Sequence, residues 1–409
     1  MRYFPRQVMA RALTEDALHG RMAFIAGPRQ VGKTTAIQRF LARQAQPRLF
    51  YNWDTPTVKR RFAGNPSFFV EDLPADRARP WVAFDEIHKY PKWKNLLKGY
   101  YDEWRDRVRF VVTGSARLEL FRRSGDSLVG RYLLFHMLPL GVREVVGGRA
   151  LGSSAWAPGP PPAVIPTVSA EHGEAVEQLL RLTGFPEPLA VGTERFYRRW
   201  RDHHLSLIVG EDLRDLTRIT QIRKLETLLY LLPDRVGAPL SVNALRSPLE
   251  AAYGSLRAWL DALKAVYLVF SIPPWTVRLA RAILKEQKYY CWDWGTVAAP
   301  GPRFENFLAV QLQRAVAAWN EQGLGEFRLH YVRTKDGVEV DFAVADRTRV
   351  YLLVEAKDRD TTLSPALASL QTKVRAPLAV QVVNREGVCV QKGPGLYVMG
   401  ADRFLNLLP

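Results

Sequence analysis

Short apolar runs alternate with amphipathic stretches along the first third of the chain. Four of the runs predict buried strands, at residues 21–26, 49–53, 80–84 and 108–112. They are five or six residues long and rich in aromatic and branched side chains, which favours strands over helices. Apolar residues between these runs recur at helical spacing. The alternation predicts an α/β sheet.

The pattern changes after residue 147. Residues 147–166 read GGRALGSSAWAPGPPPAVIP, a composition that sustains neither a helix nor a strand ladder. Residues 171–232 have mainly helical periodicity, and two short helices with an apolar strand follow in residues 241–272. Strands return around a helix from Lys288 onward. We therefore predict an α/β domain at 1–147, a linker at 148–170, a helical region with a winged helix at 171–283, and a second α/β domain at 284–409.

The net charge of the chain suggests a binding partner. The chain has a formal net charge of +17 and a pI near 10.0, and arginine outnumbers lysine by roughly three to one. Such a surface attracts nucleic-acid phosphates, although an arginine-favouring codon bias would give the same composition. The two cysteines, Cys291 and Cys389, lack metal-type spacing. No apolar run is long enough to span a membrane and no secretory signal opens the chain, so we expect a cytoplasmic protein without membrane contact.

The first predicted strand runs directly into a phosphate-binding loop. The segment matches G-x-x-x-x-G-K-[ST] at every position and lies between a strand and a helix, as this motif requires. Its residues are Gly27, Pro28, Arg29, Gln30, Val31, Gly32, Lys33 and Thr34, followed by Thr35. The glycines let backbone N–H groups face phosphates, Lys33 is expected to reach the β- and γ-phosphates, and Thr34 to bind Mg²⁺. The loop predicts ATP as the ligand.

Two further strands end in polar residues with matching chemistry. Asp85 closes one strand and is predicted to hold Mg²⁺, and Glu86 after it is predicted to act as the general base. Thr113 and Ser115 follow the next strand and are placed to sense the γ-phosphate and orient water. The additional strand at residues 49–53 indicates the ATPase class in which the two key strands are not adjacent.

These motifs together resemble a group of prokaryotic AAA-type ATPases. The resemblance rests on the P-loop, on the stretch from Phe84 to Pro91, on Thr113-Gly114-Ser115, and on the segments 128–131 and 138–140. It implies a homo-oligomer, with a hexamer as one candidate, in which Arg131 acts at a subunit interface on the transition state. Three other arginines compete for this role: Arg117, Arg122 and Arg123.

Residues 241–270 have the pattern of a helix-turn-helix followed by a wing. Apolar residues of the second helix, among them Trp259 and Leu263, recur at helical spacing and are expected in the core. Winged helices bind DNA, and they also serve as protein-interaction modules. The pattern leaves both partners open.

Acidic residues in the last segment suggest a second site. Glu305 lies on a predicted helix, Asp341 on a strand at 337–344, and Glu355 with Lys357 on a strand at 350–357. Because strand side chains alternate, Glu355 and Lys357 share one face. This set resembles the PD-(D/E)XK nucleases, including archaeal Holliday-junction resolvases, and such a domain is fused to ATPases of the group above. The resemblance implies that Glu305, Asp341 and Glu355 bind Mg²⁺ or Mn²⁺, with Lys357 beside them.

Two functions fit these patterns. The first is an ATP-driven protein that moves or remodels DNA, with metal-dependent nuclease activity as an open question. The second is a nucleotide-dependent switch or scaffold that binds protein partners in stress signalling or defence.

Overall fold

The structure, a computed structural model, describes seven stretches of the 409-residue chain. These are residues 2–44, 47–75, 79–114, 128–147, 155–213, 221–276 and 286–409. The chain divides into two compact units, one formed by Pro5–Leu138 and the other by Met1–Phe4 with Pro139–Pro409. Among the described residues, no helix combines the length and the apolar character that a bilayer crossing needs.

The first unit is built on a parallel sheet of five strands. These are β1 (Met22–Ala26), β2 (Leu49–Asn52), β3 (Trp81–Asp85), β4 (Arg109–Thr113) and β5 (Tyr132–His136). Their order is β2-β3-β4-β1-β5. The α/β prediction is therefore confirmed, and β4 separates β1 from β3, as the class with non-adjacent key strands requires. The sequence did not predict β5.

Helices connect these strands and cover both faces of the sheet. They are α1 (Gln7–Ala12), α2 (Glu15–Leu18), α3 (Lys33–Leu41), α4 (Pro56–Gly64) and α5 (Trp93–Trp104). Side chains of β1 alternate between two cores, with Phe24 packed in the same core as Phe84 and Ile25 in the other core with Val111. Both faces are thus buried, which explains the continuous apolar runs of the strands.

The second unit begins with a helical region. Its helices are α6 (Val142–Val146), α7 (Ala170–Arg181), α8 (Pro186–Val191), α9 (Glu194–Leu207) and α10 (Ile222–Leu231). Part of the predicted linker is packed within this unit: the Trp156 ring meets Trp319 edge-on at 5.7 Å, and its backbone N–H donates to the Leu407 carbonyl at 2.8 Å. Its described residues from 155 to 169 contain no helix or strand, as their composition predicts.

A small antiparallel sheet follows, in the order β6-β8-β7. Its elements are β6 (Pro239–Leu240), α11 (Arg246–Leu249), α12 (Tyr253–Ala265), β7 (Val269–Ile272) and β8 (Gln287–Cys291). Strand β7 begins only at Val269, because Tyr267 takes a positive φ of 58° that interrupts the extended backbone after α12. The domain boundary predicted at 283/284 would cut this sheet between β7 and β8.

The chain ends in a mixed six-stranded sheet with helices. Its elements are α13 (Pro300–Glu321), β9 (Arg328–Arg333), β10 (Glu339–Ala345), β11 (Val350–Lys357), α14 (Pro365–Val374), β12 (Leu378–Val383), β13 (Cys389–Gly393), β14 (Leu396–Gly400) and α15 (Ala401–Leu407). Strands β9, β10 and β11 form an antiparallel meander, after which α14 leads into β12, parallel to β11. The strand order is β13-β14-β12-β11-β10-β9.

Candidate functional site

The loop from Gly27 to Gly32 has a backbone that few other residues would permit. Gly27, Gln30 and Gly32 have positive φ values of 149°, 59° and 95°. A Cβ added at Gly27 would lie 2.1 Å from the Met137 carbonyl oxygen, so a side chain cannot fit there. Such turns orient backbone N–H groups into a concave anion site, and α3 begins at Lys33 with its positive dipole end beside it.

Two basic side chains hold this loop. Lys33 is buried, and its ammonium donates to the carbonyls of Gly27 at 2.9 Å and Pro28 at 2.7 Å. Buried Arg6 donates to the Val31 carbonyl at 2.6 Å and also to the Leu138 carbonyl. Sequence reasoning missed Arg6, because its targets lie 25 and 132 residues away and no local motif marks it. The other predicted loop residues stay where the motif puts them: Pro28 and Val31 are buried, Arg29, Gln30 and Thr34 are half-buried, and Thr35 is exposed.

Asp85 is the centre of a hydrogen-bonded group at the ends of β3 and β4. Thr34 donates its hydroxyl hydrogen bond to Asp85 Oδ2 at 2.9 Å, and Thr113 donates to Oδ1. Burial raises the pKa of Asp85, and the two hydroxyl hydrogen bonds oppose this effect. Hydroxyl and carboxylate oxygens are the ligands that Mg²⁺ prefers, so the Thr34 and Asp85 oxygens fit this ion.

Glu86 lies beside Asp85 with its backbone in the left-handed region, at φ 57°. This conformation is uncommon for a residue other than glycine and typical of functional turns. The Glu86 carboxylate is 3.5 Å from His88 Nε2 and 3.9 Å from Lys89 Nζ. Burial raises the pKa of Glu86, while Lys33 and Lys89 pull it down. A carboxyl group tuned in this way suits a proton acceptor.

Arg131 is not brought to the P-loop of its own chain. It precedes β5, and its backbone carbonyl accepts a hydrogen bond from Met22 at the start of β1, whereas the P-loop follows the other end of β1. Its guanidinium binds Asp102 of α5 with two hydrogen bonds, of 2.7 and 3.0 Å. The predicted residues Ser115, Arg117, Arg122 and Arg123 lie outside the described residues.

The predicted acids of the C-terminal domain lie close together. Phe342 of β10 pairs with Val354 of β11, a register that puts Asp341 opposite Glu355 and on the same face. Asp341 Oδ2 accepts a hydrogen bond of 2.9 Å from the Ala356 N–H. The Lys357 ammonium is 2.8 Å from Glu355 Oε1. The structure therefore brings Asp341, Glu355 and Lys357 together.

Glu305 joins the group from α13, but a lysine lies between it and the strand. The Lys288 ammonium of β8 is 3.5 Å from Glu305 and 3.4 Å from Asp341. Sequence reasoning missed Lys288 as a site residue. The signal available was weak: a lysine directly before the aromatic and apolar run from 289 to 292.

These residues do not fit the metal that the nuclease resemblance implies. Among the residues that the structure describes, no three His, Cys, Asp or Glu side chains are arranged to hold a metal ion. The Lys288 ammonium lies beside one oxygen of Glu305 and one of Asp341, where a metal ion bound by both would stand. The metal site of Glu305, Asp341 and Glu355 stays a prediction.

Comparisons with known proteins bear on the same two regions. The AAA domain model (AAA_14) matches residues 19–146, and that of a domain of unknown function (DUF8612) matches residues 173–301. The second match includes β8 and continues past the predicted boundary at residue 283.

Two curated relatives match most of the chain. They are the uncharacterized proteins Rv2008c of Mycobacterium tuberculosis and Mb2031c of Mycobacterium bovis, each 25% identical over 358 residues, which span 84% of this chain and 72% of the relative. A solved structure, the Aeropyrum pernix ORC1 protein in complex with DNA, is 17% identical and aligns over 75% of this chain and 93% of its own with a TM-score of 0.31. That score is too low to support a conclusion about fold or function. Residues 19–146 of this chain thus form an AAA domain with a P-loop, followed by a DUF8612 region at 173–301.

Proposed function

We propose that this chain hydrolyses ATP and uses the reaction to act on DNA. The ATPase part is carried by one observation: Lys33 and Thr34 meet Asp85 and Thr113 at the same end of a parallel sheet. The match of residues 19–146 to the AAA domain family supports it, since such domains bind ATP with Mg²⁺.

Each residue then has a definite task in hydrolysis. The P-loop N–H groups and the Lys33 ammonium bind the phosphates and favour the charge that develops on the γ-phosphoryl oxygens. Thr34 and Asp85 hold the Mg²⁺, which when bound neutralises β- and γ-phosphate charge. Glu86 accepts the proton of the attacking water, and Thr113 keeps Asp85 oriented.

The arginine of the transition state is proposed to come from a neighbouring copy. The Arg131 backbone lies beside the start of β1, whereas the P-loop of the same chain follows the end of β1. The Arg131 side chain is therefore better placed to act on the ATP site of a neighbouring copy than on its own. A homo-oligomer follows from this assignment, with Arg117, Arg122 and Arg123 as rivals.

DNA is the proposed target because charge and topology agree. The chain carries a net charge of +17. Elements α10 to β8 follow the helix, strand, helix, helix, strand, strand order of a winged helix, which we take this region to be. Elements α13 to β12 follow the order of the PD-(D/E)XK fold, a second module associated with nucleic acids. The domains predicted at 1–147, 171–283 and 284–409 stay proposals, except that we move the boundary at 283/284 past β8 so that the winged helix keeps its third strand.

The proposal is tested by ATP turnover of the full chain with single-stranded, duplex and branched DNA. We expect at least one DNA to stimulate turnover, and DNA affinity to fall with salt at a log–log slope of roughly −0.9 per duplex phosphate contacted. If DNA neither binds at low salt nor changes turnover, the chain is instead a nucleotide-dependent scaffold for protein partners.

A matched pair of variants locates the contact. Arg257 is exposed on α12, the second helix of the proposed helix-turn-helix, which in this motif lies in the major groove. Arg257→Gln should weaken DNA binding and lower the salt slope by about 1. Arg347→Gln removes another exposed charge, from the β10–β11 turn, and should leave both the DNA affinity and the salt slope unchanged.

A further inference from the structure

The Lys288 side chain is fully buried and ends among three carboxylates. Its ammonium lies 2.7 Å from Glu339, 3.4 Å from Asp341 and 3.5 Å from Glu305, with 0% of the side chain exposed. A buried ammonium is tolerated only when opposite charges surround it. Here three carboxylates lie within 3.5 Å of the ammonium, so its positive charge is stabilised in this buried position.

Neighbouring groups complete this acidic pocket, which we define by Glu305, Glu339 and Asp341. The Tyr290 hydroxyl donates to Glu305 Oε1 at 2.7 Å, and Arg333 lies 3.7 Å from Glu339. The Tyr331 ring centroid is 5.5 Å from the Lys288 ammonium. Each carboxylate of the pocket therefore has a cationic or hydroxyl partner within the chain itself.

The loop before β6 closes the pocket further. Gly237 has a φ of 86°, and a Cβ built on it would lie 2.7 Å from Glu305 Oε2. The backbone of this loop thus approaches Glu305 as closely as a glycine allows. Together with Lys288 and Tyr290, it covers the acidic pocket with residues of the preceding region.

The ammonium and a divalent ion compete for the same oxygens. Mg²⁺ binds carboxylate oxygens at about 2.0–2.1 Å and Ca²⁺ at about 2.3–2.6 Å. An ion at those distances from Glu305 and Asp341 would stand beside an ammonium already 3.4–3.5 Å from them, and the two like charges would repel.

The other oxygen of Asp341 and one oxygen of Glu355 also have partners. Asp341 Oδ2 accepts from the Ala356 N–H, and Glu355 Oε1 is paired with Lys357. Glu355 Oε2 is buried and, within the described part of the chain, has no hydrogen-bond partner. Because Mg²⁺ usually keeps several water ligands and binds through one or two carboxylates, this single oxygen leaves at most a weak second position for such an ion.

We propose that the Lys288 ammonium is the resident cation of the acidic pocket, that is, the positive charge that occupies the place of a metal ion there. The pocket is then a group of ion pairs that connects β8 to the mixed sheet, and not a divalent-metal centre. The domain then retains a nuclease-like fold for binding and does not cleave DNA with Mg²⁺ or Mn²⁺. This inference does not depend on ATP hydrolysis or on the proposed action on DNA.

The first test compares Asp341→Asn with its parent in the nucleotide-free full chain, where any Mn²⁺ held at Thr34 and Asp85 is common to both proteins. Mn²⁺ uptake is followed by the electron paramagnetic resonance signal of the free ion. We expect Asp341→Asn to take up as much Mn²⁺ as its parent. Loss of one bound Mn²⁺ per chain in Asp341→Asn would overturn the proposal, as would Mn²⁺-dependent cleavage of branched DNA that Asp341→Asn abolishes.

The second test removes the cation. In Lys288→Ala three carboxylates lose their ammonium, and Mn²⁺ should bind at least roughly tenfold more tightly than to the parent and raise the melting temperature. The control Lys392→Ala removes an exposed lysine of β13 and should change neither. If Lys288→Ala folds and gains no Mn²⁺ affinity, Lys288 is not the resident cation. If it fails to fold, the Asp341→Asn comparison still decides.

Discussion

The Thr113 hydroxyl donates a hydrogen bond to the Asp85 carboxylate, and the two residues stand opposite each other in the register of β4 and β3. Both are buried, and Asp85 receives its second hydroxyl hydrogen bond from Thr34. The sheet itself therefore sets the orientation of the carboxylate, since parallel neighbours end at the same edge. A strand residue outside the P-loop controls how the P-loop threonine and the acid face each other.

Thr113→Val should separate shape from hydrogen bonding at this position. The substitution leaves one Asp85 oxygen buried without its donor, which costs about 1–3 kcal/mol of unfolding free energy. ATP turnover should fall as well, because Asp85 loses its orientation. Urea denaturation and steady-state turnover measure the two effects. Thr113→Ser keeps the hydroxyl and should retain most of the stability and most of the turnover. Equal losses of stability and turnover in Thr113→Val and Thr113→Ser would refute the role of the hydrogen bond.

Lys33→Ala and Glu86→Gln should fail in different ways. Lys33 contacts phosphates in the ground state and in the transition state, so its loss weakens both nucleotide binding and turnover. Glu86→Gln keeps the shape and removes the proton acceptor, so ATP should bind and persist unhydrolysed. Equilibrium binding of a fluorescent nucleotide and single-turnover hydrolysis distinguish the two. Wild-type turnover in Glu86→Gln would show that Glu86 is not the base.

The pH profile of ATP turnover should depend on Lys89. A base acts when deprotonated, and burial raises the pKa of Glu86 above its ordinary value, so activity should fall with acid at a higher pH than for a solvent-exposed glutamate. Lys89 lowers this pKa, and Lys89→Met should therefore shift the acid limb to higher pH. Lys92→Met, an exposed neighbour, is the control. An unshifted acid limb in Lys89→Met would contradict the assignment.

Gly237→Ala should destabilise the second unit. The alanine would have to keep the backbone φ of 86°, and its Cβ would lie 2.7 Å from Glu305 Oε2. We therefore expect the free energy of unfolding to fall by about 1–3 kcal/mol. Gly254→Ala places the same methyl group in the first turn of α12, where nothing lies within 4 Å, and should be neutral or stabilising by up to about 1 kcal/mol. Chemical denaturation of both variants gives the comparison. An equal response of the two would show that the loop does not press on Glu305.

Local patterns predicted the elements whose residues are neighbours in sequence. The strand–loop–helix around Gly27 and the strand ending at Asp85 could be read directly, because the motif and the burial both act over a few residues. Strand β5 was missed because its apolar run, Tyr132 to Phe135, is only four residues long and does not distinguish a strand from a turn of buried helix. Its place beside β1 becomes visible only in the sheet.

Long-range contacts were not predictable in the same way. Arg6 reaches the P-loop across 25 residues and Lys288 reaches Asp341 across 53, and neither belongs to a motif. The proline-rich stretch predicted as a linker packs on α13 through Trp156, because its composition excludes regular structure but not burial. The sequence shows which side chains are available for such contacts, and only the fold shows which of them lie close together.

Asn306 determines which residue of β8 faces the carboxylates of the acidic pocket. Its fully buried side-chain amide accepts a hydrogen bond from the Cys291 N–H at 2.8 Å and donates one to the Cys291 carbonyl at 2.7 Å. These two bonds fix the position of α13 on β8 at a single residue. Because successive strand side chains point to opposite faces, a slip of β8 by one position would turn Lys288 away and present Tyr289 instead. Two hydrogen bonds three residues away thus decide whether an ammonium or a phenol faces the carboxylates. A change at Asn306 would therefore alter the charge of the acidic pocket without touching any acid.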